Sequence, residues 1–441
     1  MALDLTTSLA QLFRRLAFGA TSSELESAAR AGYAATAASL IGGLTQPDPG
    51  ADAVALPSFT PPPDDLAAIR SDPAARRQLE VQLAEERVEL MSWWIARMVG
   101  STNPAREKLT LLLHAHFPTG ISKVRYALYM YGQNQIFRTQ GAGDFAALTQ
   151  AVSTDPAMLI WLDAASDKAS DPNENFAREL MERFTMGIGT YTQADVRAAA
   201  YCFTGWRFSA HTGQFSIAAI NHSDVPQTFL GQTGITAGSQ VIDLVTQSEA
   251  SYRFIPSSFW SLLAYPTTTS SQVVADLAPG YAANRNMAQL LQAIVTHPDF
   301  VSTTTGNGLI KQPVEYVVGT LRALNIPATA LGTTSLRQLV NALAEMGQVP
   351  FDPPSVGGWG QNTYWLSTAA ALVRWRFANK LAGGADISLV ADSAPSARVE
   401  ATGQLLSIPT WSSTTASKLR RAPDPATMVA LALVAPEHVS N

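Results

Sequence analysis

Two of the six histidines, His114 and His116, stand one residue apart at the end of an apolar run, in His114-Ala115-His116-Phe117. Neutral imidazoles in this pattern can ligate zinc or iron, so the pair is a candidate site for a divalent metal. On a strand or loop the two rings share a side, whereas in a helix they diverge by roughly 160°. No His-Glu-x-x-His or other complete ligand set accompanies them. The plainer reading is a pair that packs in the core and hydrogen-bonds.

The densest grouping of carboxylates and arginines follows in Asp171-Pro172-Asn173-Glu174-Asn175-Phe176-Ala177-Arg178-Glu179-Leu180. Asp171 as N-cap, Pro172 in the first turn and Glu174 at N3 predict a helix start with a capping box. At about 100° per residue, Phe176, Ala177, Leu180, Met181 and Phe184 share one half of the wheel. Glu174, Asn175, Arg178, Glu179, Glu182 and Arg183 share the other. Glu174–Arg178 and Glu179–Arg183 are then i,i+4 ion pairs worth a few tenths of a kcal/mol each.

If that half faces bulk water, it is a solvated ion-pair face. If it faces a cleft, Glu179 can act as an acid–base carboxylate and Arg178 can steady an anionic group, with Glu174 beside them. His222, in Asn221-His222-Ser223-Asp224, lies in a loop-rich stretch and is a candidate base or third ligand. His297-Pro298-Asp299 reads as a helix terminus.

Apolar spacing supplies the elements that must carry these groups. Leu9, Leu12, Phe13 and Leu16 recur at helical intervals, and Thr21-Ser22-Ser23-Glu24 is a capping-box start. Residues 46–64 are rich in Pro and Asp and read as an extended linker or surface loop. Helices are expected from Leu79 to Met98, from Pro104, between Asp144 and Trp206, and again from Ile310 to Leu324, Leu336 to Met346 and Thr368 to Leu381. Residues 207–250 turn rich in Thr, Ser, Gln and Gly, which predicts a loop-rich insertion with a short β-hairpin.

The fold expected is mainly α: helices over residues 1–45, the 46–64 linker, a main helical body over 65–390 holding the 207–250 insertion, and loops with short helices over 391–441. Pro350-Phe351-Asp352-Pro353-Pro354 opens a rigid, turn-rich loop ending at Trp359.

The bulk figures narrow the function. The 441 residues are 46% hydrophobic and 15% charged, ample for a large core and unlike a disordered chain. A net charge of −5 without a basic run argues against a nucleic-acid partner. No apolar segment approaches the roughly 20 residues of a membrane span. Met1-Ala2-Leu3-Asp4-Leu5-Thr6 lacks the basic and apolar regions of a signal peptide, so the chain as given reads as cytoplasmic or as a mature form. The lone Cys202 sits between Tyr201 and Phe203 and reads as a core thiol. There is no phosphate loop, no G-x-G-x-x-G and no G-x-S-x-G. Trp206, Trp359, Tyr364 and Trp365 suit stacking on a saccharide or packing in a core.

Taken in order, the blocks resemble the bacterial proteins grouped as the domain of unknown function DUF1800. They are Leu12-Phe13-Arg14-Arg15-Leu16-Ala17-Phe18-Gly19, the His114–Phe117 element, Asp155-Pro156-Ala157-Met158-Leu159, Pro172 to Leu180, Tyr191-Thr192, Asp195-Val196-Arg197, Thr204-Gly205-Trp206, His297-Pro298-Asp299-Phe300, Pro313-Val314-Glu315 and Pro353 to Trp359. The resemblance implies a predominantly helical fold, many exported relatives, often with a twin-arginine signal, and no established general activity. Members usually carry Trp-His-Asn-His-Phe where this chain has Leu113-His114-Ala115-His116-Phe117. They usually show His-Asp, and a Lys before a Leu-Gly pair, where Ser223 and Gln227 stand here. Ala198 and Tyr201 replace a usual Glu and Arg.

Two functions follow as expectations. One is a metal-assisted or acid–base, hydrolase-like enzyme whose cleft combines His114, His116 and His222 with Glu174, Arg178 and Glu179, acting on a small molecule or saccharide. The other is a divergent, non-catalytic binding or assembly module, with the Pro/Trp loop at 350–365 as its partner surface.

Overall fold

The computed structural model describes residues 3–63, 65–306 and 308–440. Asp64 at the end of the expected linker, Met1-Ala2 of the signal-peptide reading and Asn441 at the chain end lie outside them. Three helices open the chain: α1 (Leu5–Leu16), α2 (Ser22–Ala31) and α3 (Tyr33–Gly42). Asp4 caps α1 by accepting from Thr7 N at 3.0 Å. Thr21 and Glu24 form the expected capping box on α2.

Next come α4 (Pro73–Gly100), α5 (Pro104–His116) and α6 (Ala127–Gln140). The last turns of α4 and almost all of α5 are buried, and Glu107, Lys108, His114 and His116 of α5 are buried along with its leucines. Leu109, Leu112 and Leu113 of α5 join one core cluster and Leu111 joins the other. This helix therefore divides the interior.

One buried carboxylate fastens the three helices together. Glu107 accepts from Arg138 Nε at 2.7 Å and Nη2 at 2.8 Å, from Trp94 Nε1 at 2.9 Å and from Arg97 Nε at 3.4 Å. Its side chain is fully buried, so the two guanidiniums supply the charge that water cannot. Residues 46–63 lie against α4 rather than away from it. Asp48 is fully buried and accepts from Ser101 Oγ and Thr102 N, and Pro49–Asp52 forms a single helical turn.

Farther on, α7 (Glu174–Glu179), α8 (Gln193–Phe203), α9 (Gly238–Thr246) and α10 (Glu249–Leu263) pack on the α5 side that carries Leu112. The expected insertion holds two antiparallel hairpins. Strand β1 (Trp206–Phe208) pairs with β2 (Phe215–Ile217), and β3 (Gln227–Phe229) with β4 (Gln232–Ile235). The irregular stretch ends sooner than the sequence predicts, because 238–250 holds α9 and the start of α10. Val241, Ile242 and Val245 bury one face of α9, a helical stripe that its Ser, Gln and Thr residues obscure.

The opposite core is built from α4, α11 (Pro313–Ala323), α12 (Thr333–Met346) and α13 (Thr368–Ala382). The C-terminal stretch shares a third cluster with α11 and α13, through Ala323, Ala378 and Ala382 against Val429 and Leu433 of α14 (Pro425–Leu433). No described helix is long and apolar enough to cross a membrane.

Candidate functional site

Helix α5 stops at His116 because Phe117 leaves helical geometry (φ −112°, ψ 66°) ahead of Pro118. Both histidines are thus helical, and their rings enter different surroundings. His114 lies among Trp94, Phe351 and Trp359, with ring centroids 5.7, 5.4 and 5.2 Å away. Its Nε2 accepts from Phe351 N at 3.1 Å, and burial pushes its pKa down to about 3. His116 lies among Phe145 and Phe259, and its Nε2–H donates to Phe184 O at 2.8 Å. Burial outweighs that bond and lowers it to about 4. Both imidazoles are neutral at pH 7. Among the described residues, no group of three or more His, Cys, Asp or Glu side chains is arranged to hold a metal ion.

The carboxylate helix starts two residues later than the capping pattern predicts. Lys168 and Asp171 close a bridge, so Asp171 does not cap. Asn173 does, its side chain accepting from Asn175 N at 2.9 Å. The backbone N–H of Asn173 is taken in turn by Asp167 Oδ1 at 2.8 Å. Beyond Glu179 the helix widens into a π segment, Leu180–Thr185, a feature frequent at functional sites. Thr185 Oγ1 donates to Leu180 O at 2.6 Å and Met186 N to Met181 O at 2.8 Å, both five residues back.

The wheel's division survives the widening: Phe176, Ala177, Leu180, Met181 and Phe184 are buried, while Glu174, Arg178, Glu179, Glu182 and Arg183 are not. Where the polar half points changes along its length. Glu174 and Arg178 pair at 3.4 Å with side chains 38% and 39% exposed, and both bond Gln193 of α8. That end is a surface network. Arg183 Nε lies 3.9 Å from Glu179 Oε2 and 3.5 Å from Glu182 Oε1, and Tyr191 Oη donates to Glu182 Oε2 at 3.0 Å. Glu179 is 13% exposed, its Oε2 has no hydrogen bond, and burial raises its pKa against the opposing pull of Arg183.

Glu182 and Arg183 form one wall of a cleft of about 570 Å³. His116 and Pro118 at the end of α5, Arg253, Phe254 and Ser257 of α10, and Val356, Gly357 and Gln361 of the Pro/Trp loop complete it. Gly358 holds that loop against α5. Its φ is +73°, and a Cβ there would sit 3.1 Å from Ala115 O.

Of the residues singled out from sequence, His116 lines this cleft and Glu179 stands behind its wall, contacting Arg183. His114, Glu174, Arg178 and His222 do not line it. His222 sits beside β1, where Nδ1–H donates to Thr204 O at 2.7 Å and Nε2 lies 3.8 Å from Asp224. Arg253 and Gln361 escape sequence reasoning because the packing of α10 and the far loop creates their role. Asp167 does too: it is 3% exposed, Oδ2 lacks a partner, and burial pushes it up to about 6. Trp206, Trp359 and Trp365 are core residues, and only Tyr364 of the four aromatics is exposed.

Fold and site together define a large, mainly helical protein with an arginine–carboxylate wall facing a cleft. A family model described as "Protein of unknown function (DUF1800)" matches residues 11–440. The chain belongs to that family. No curated protein and no solved structure matches it.

Proposed function

We propose that the cleft is the acid–base site of a hydrolase-like enzyme acting on a polar small molecule. The observation that carries this reading is Arg183 held between Glu179 and Glu182 at the cleft wall, with Glu179 withdrawn from water and one of its oxygens unbonded. Burial raises the pKa of Glu179, the direction a general acid requires, while Glu182 beside it on the cleft wall serves as base. Arg183 and Arg253 would steady negative charge as it develops, and neutral His116 would form a fixed, hydrogen-bonded edge. The reading routes no step through a metal at His114 or His116, and it leaves Glu174, Arg178 and His222 outside the reacting centre.

The test is hydrolysis of p-nitrophenyl acetate and p-nitrophenyl glycosides from pH 4 to 9 by the wild type, Glu179→Gln and Glu182→Gln. Loss of about 10²-fold or more in kcat/KM with the melting temperature held is expected. Equal rates in all three proteins, or no turnover by the wild type, would sink the enzymatic reading. The binding-module alternative is then tested by whether the wild type still takes up the same compounds in calorimetry.

A further inference from the structure

Behind the cleft, the interior holds a concentration of positive charge that the acid–base reading does not use. Arg14 and Arg15 of α1, Lys108 of α5, Lys311 just before α11 and Arg374 of α13 converge, with His438 beside them. Arg15 and Lys108 are fully buried, and Lys311, Arg374 and His438 are 4%, 3% and 3% exposed. Arg14 is half-buried, the most accessible of the group.

The contacts tie them into one group. Lys108 Nζ donates to the Glu315 carboxylate and lies 3.4 Å from Arg14 O. Arg374 Nη2 donates to Lys311 O at 3.0 Å, and Lys311 N to Val439 O at 2.9 Å, next to His438. Lys311 feels the charges of Arg14, Lys108 and Arg374 as well as Glu315.

Five cations thus share a group with one carboxylate, which three of them feel. Among the described residues, Glu315 is the acidic group that couples to Arg15, Lys108 and Lys311. The donors are also underused. Arg14 Nε, Arg15 Nε and Nη1, and Arg374 Nε are buried with no hydrogen-bond partner. Buried charges are ordinarily paired, because desolvation costs several kcal/mol per ion. Burial and mutual repulsion lower Arg15 to about 9, and burial with the nearby cations lowers Lys311 and His438 well below their ordinary values. Such crowding is tolerable when a counter-ion completes it. Guanidinium forks with free N–H groups match the oxygens of a tetrahedral oxyanion.

We infer that this cluster is an internal binding site for a phosphate-like oxyanion, held by Arg14, Arg15, Lys311 and Arg374 and entered from the cleft. A small pocket of about 20 Å³ lined by Gln312 and Glu315 reaches the group's carboxylate from that side. It shares Ser261, Leu262 and Gln361 with the cleft. The ligand is either the free ion or the phosphoryl end of a molecule lying in the cleft. The inference stands whether or not Glu179 is an acid–base group.

The experiment uses the full chain purified without phosphate or sulfate. Thermal unfolding and equilibrium dialysis are followed against inorganic phosphate, phenyl phosphate and, at matched ionic strength, chloride. One phosphate or phenyl phosphate per chain, with a rise in melting temperature that chloride does not give, is expected. A response to both compounds identifies the free ion as sufficient; a response to phenyl phosphate alone identifies a phosphoryl group anchored from the cleft. Lys311→Met should weaken binding tenfold or more. It should also leave the anion-free protein as stable as the wild type or more so, because a repelling charge is gone. Arg14→Gln, at the accessible edge, should weaken binding without unfolding the chain. No uptake by the wild type, a chloride response of equal size, or unchanged binding by both variants overturns the site.

Discussion

His116 Nε2 lies 2.8 Å from the main-chain oxygen of Phe184, so the last residue of α5 satisfies a carbonyl within the widened turn that follows Glu179. The π segment leaves such groups without their ordinary i→i−4 partners, and the imidazole closes one of them. This bond joins two sequence blocks 68 residues apart and fixes the cleft wall against the end of α5.

Replacing His116 by Ala should therefore cost more than a ring. The Phe184 carbonyl loses its donor and a cavity opens beside Phe145 and Phe259. The expected loss is about 2–5 kcal/mol in denaturant unfolding. His116→Gln, which can still donate, should recover part of it. Equal losses in the two variants would show that the hydrogen bond contributes nothing.

Acid should act through His114. Its folded pKa of about 3 lies below the unfolded value of 6.5, so the unfolded chain binds the extra proton between those limits. Stability from this group is complete above pH 6.5 and falls as the pH drops toward 3, by up to about 1.4 kcal/mol per pH unit. His114→Gln keeps an acceptor for Phe351 N and removes the titration. Its unfolding free energy, measured from pH 4 to 7, should be flatter than the wild type by one proton. Parallel curves would contradict a neutral, buried His114.

Glu107 is the buried fastening of α4, α5 and α6. Glu107→Ala strands Arg138 in the interior, leaves Arg97 with only Asp52 and the Ala51 carbonyl, and removes the acceptor of Trp94 Nε1. Breaking such a pair costs about 3–5 kcal/mol, read by thermal or urea unfolding. A loss below about 1 kcal/mol would mean the guanidiniums find other partners or water.

Gly187 closes the π segment with φ +83°, and a Cβ there would lie 2.9 Å from the Phe254 ring. Gly187→Ala combines left-handed strain with overpacking, so a destabilisation of about 1–3 kcal/mol is expected. The displaced Phe254 should also weaken any ligand the cleft binds. An unchanged melting temperature would show that Phe254 moves aside freely.

The exposed end of the same helix provides the contrast. Glu174→Ala and Arg178→Ala remove partners that are more than a third exposed, so each should stay within about 0.5 kcal/mol of the wild type. Neither should alter turnover or ligand uptake. A strong effect on either would return these two residues to the reacting centre.

Local pattern alone determined the mainly helical fold, the capping box at Thr21 and Glu24, the end of α5 at Phe117 and the buried half of the Glu174 helix. These depend on periodicity, capping chemistry and proline restriction, which act over a few residues. The start of that helix misled, because a bridge between Lys168 and Asp171 moved the cap to Asn173. The tertiary structure decided which polar groups meet. The helical phase that buries both histidines sends His114 toward Phe351 and His116 toward Phe184. The π segment and the packing of α10 put Glu182 and Arg183 on a cleft while Glu174 and Arg178 stay with α8. The family's order of blocks pointed to one protein type, but the gathering of Arg14, Lys108, Glu315 and Arg374 around Lys311 joins residues up to 360 positions apart. No local rule encodes such a meeting, since the charges sit on α1, α5, α13 and α11 with the segment before it, and come together only when those elements pack.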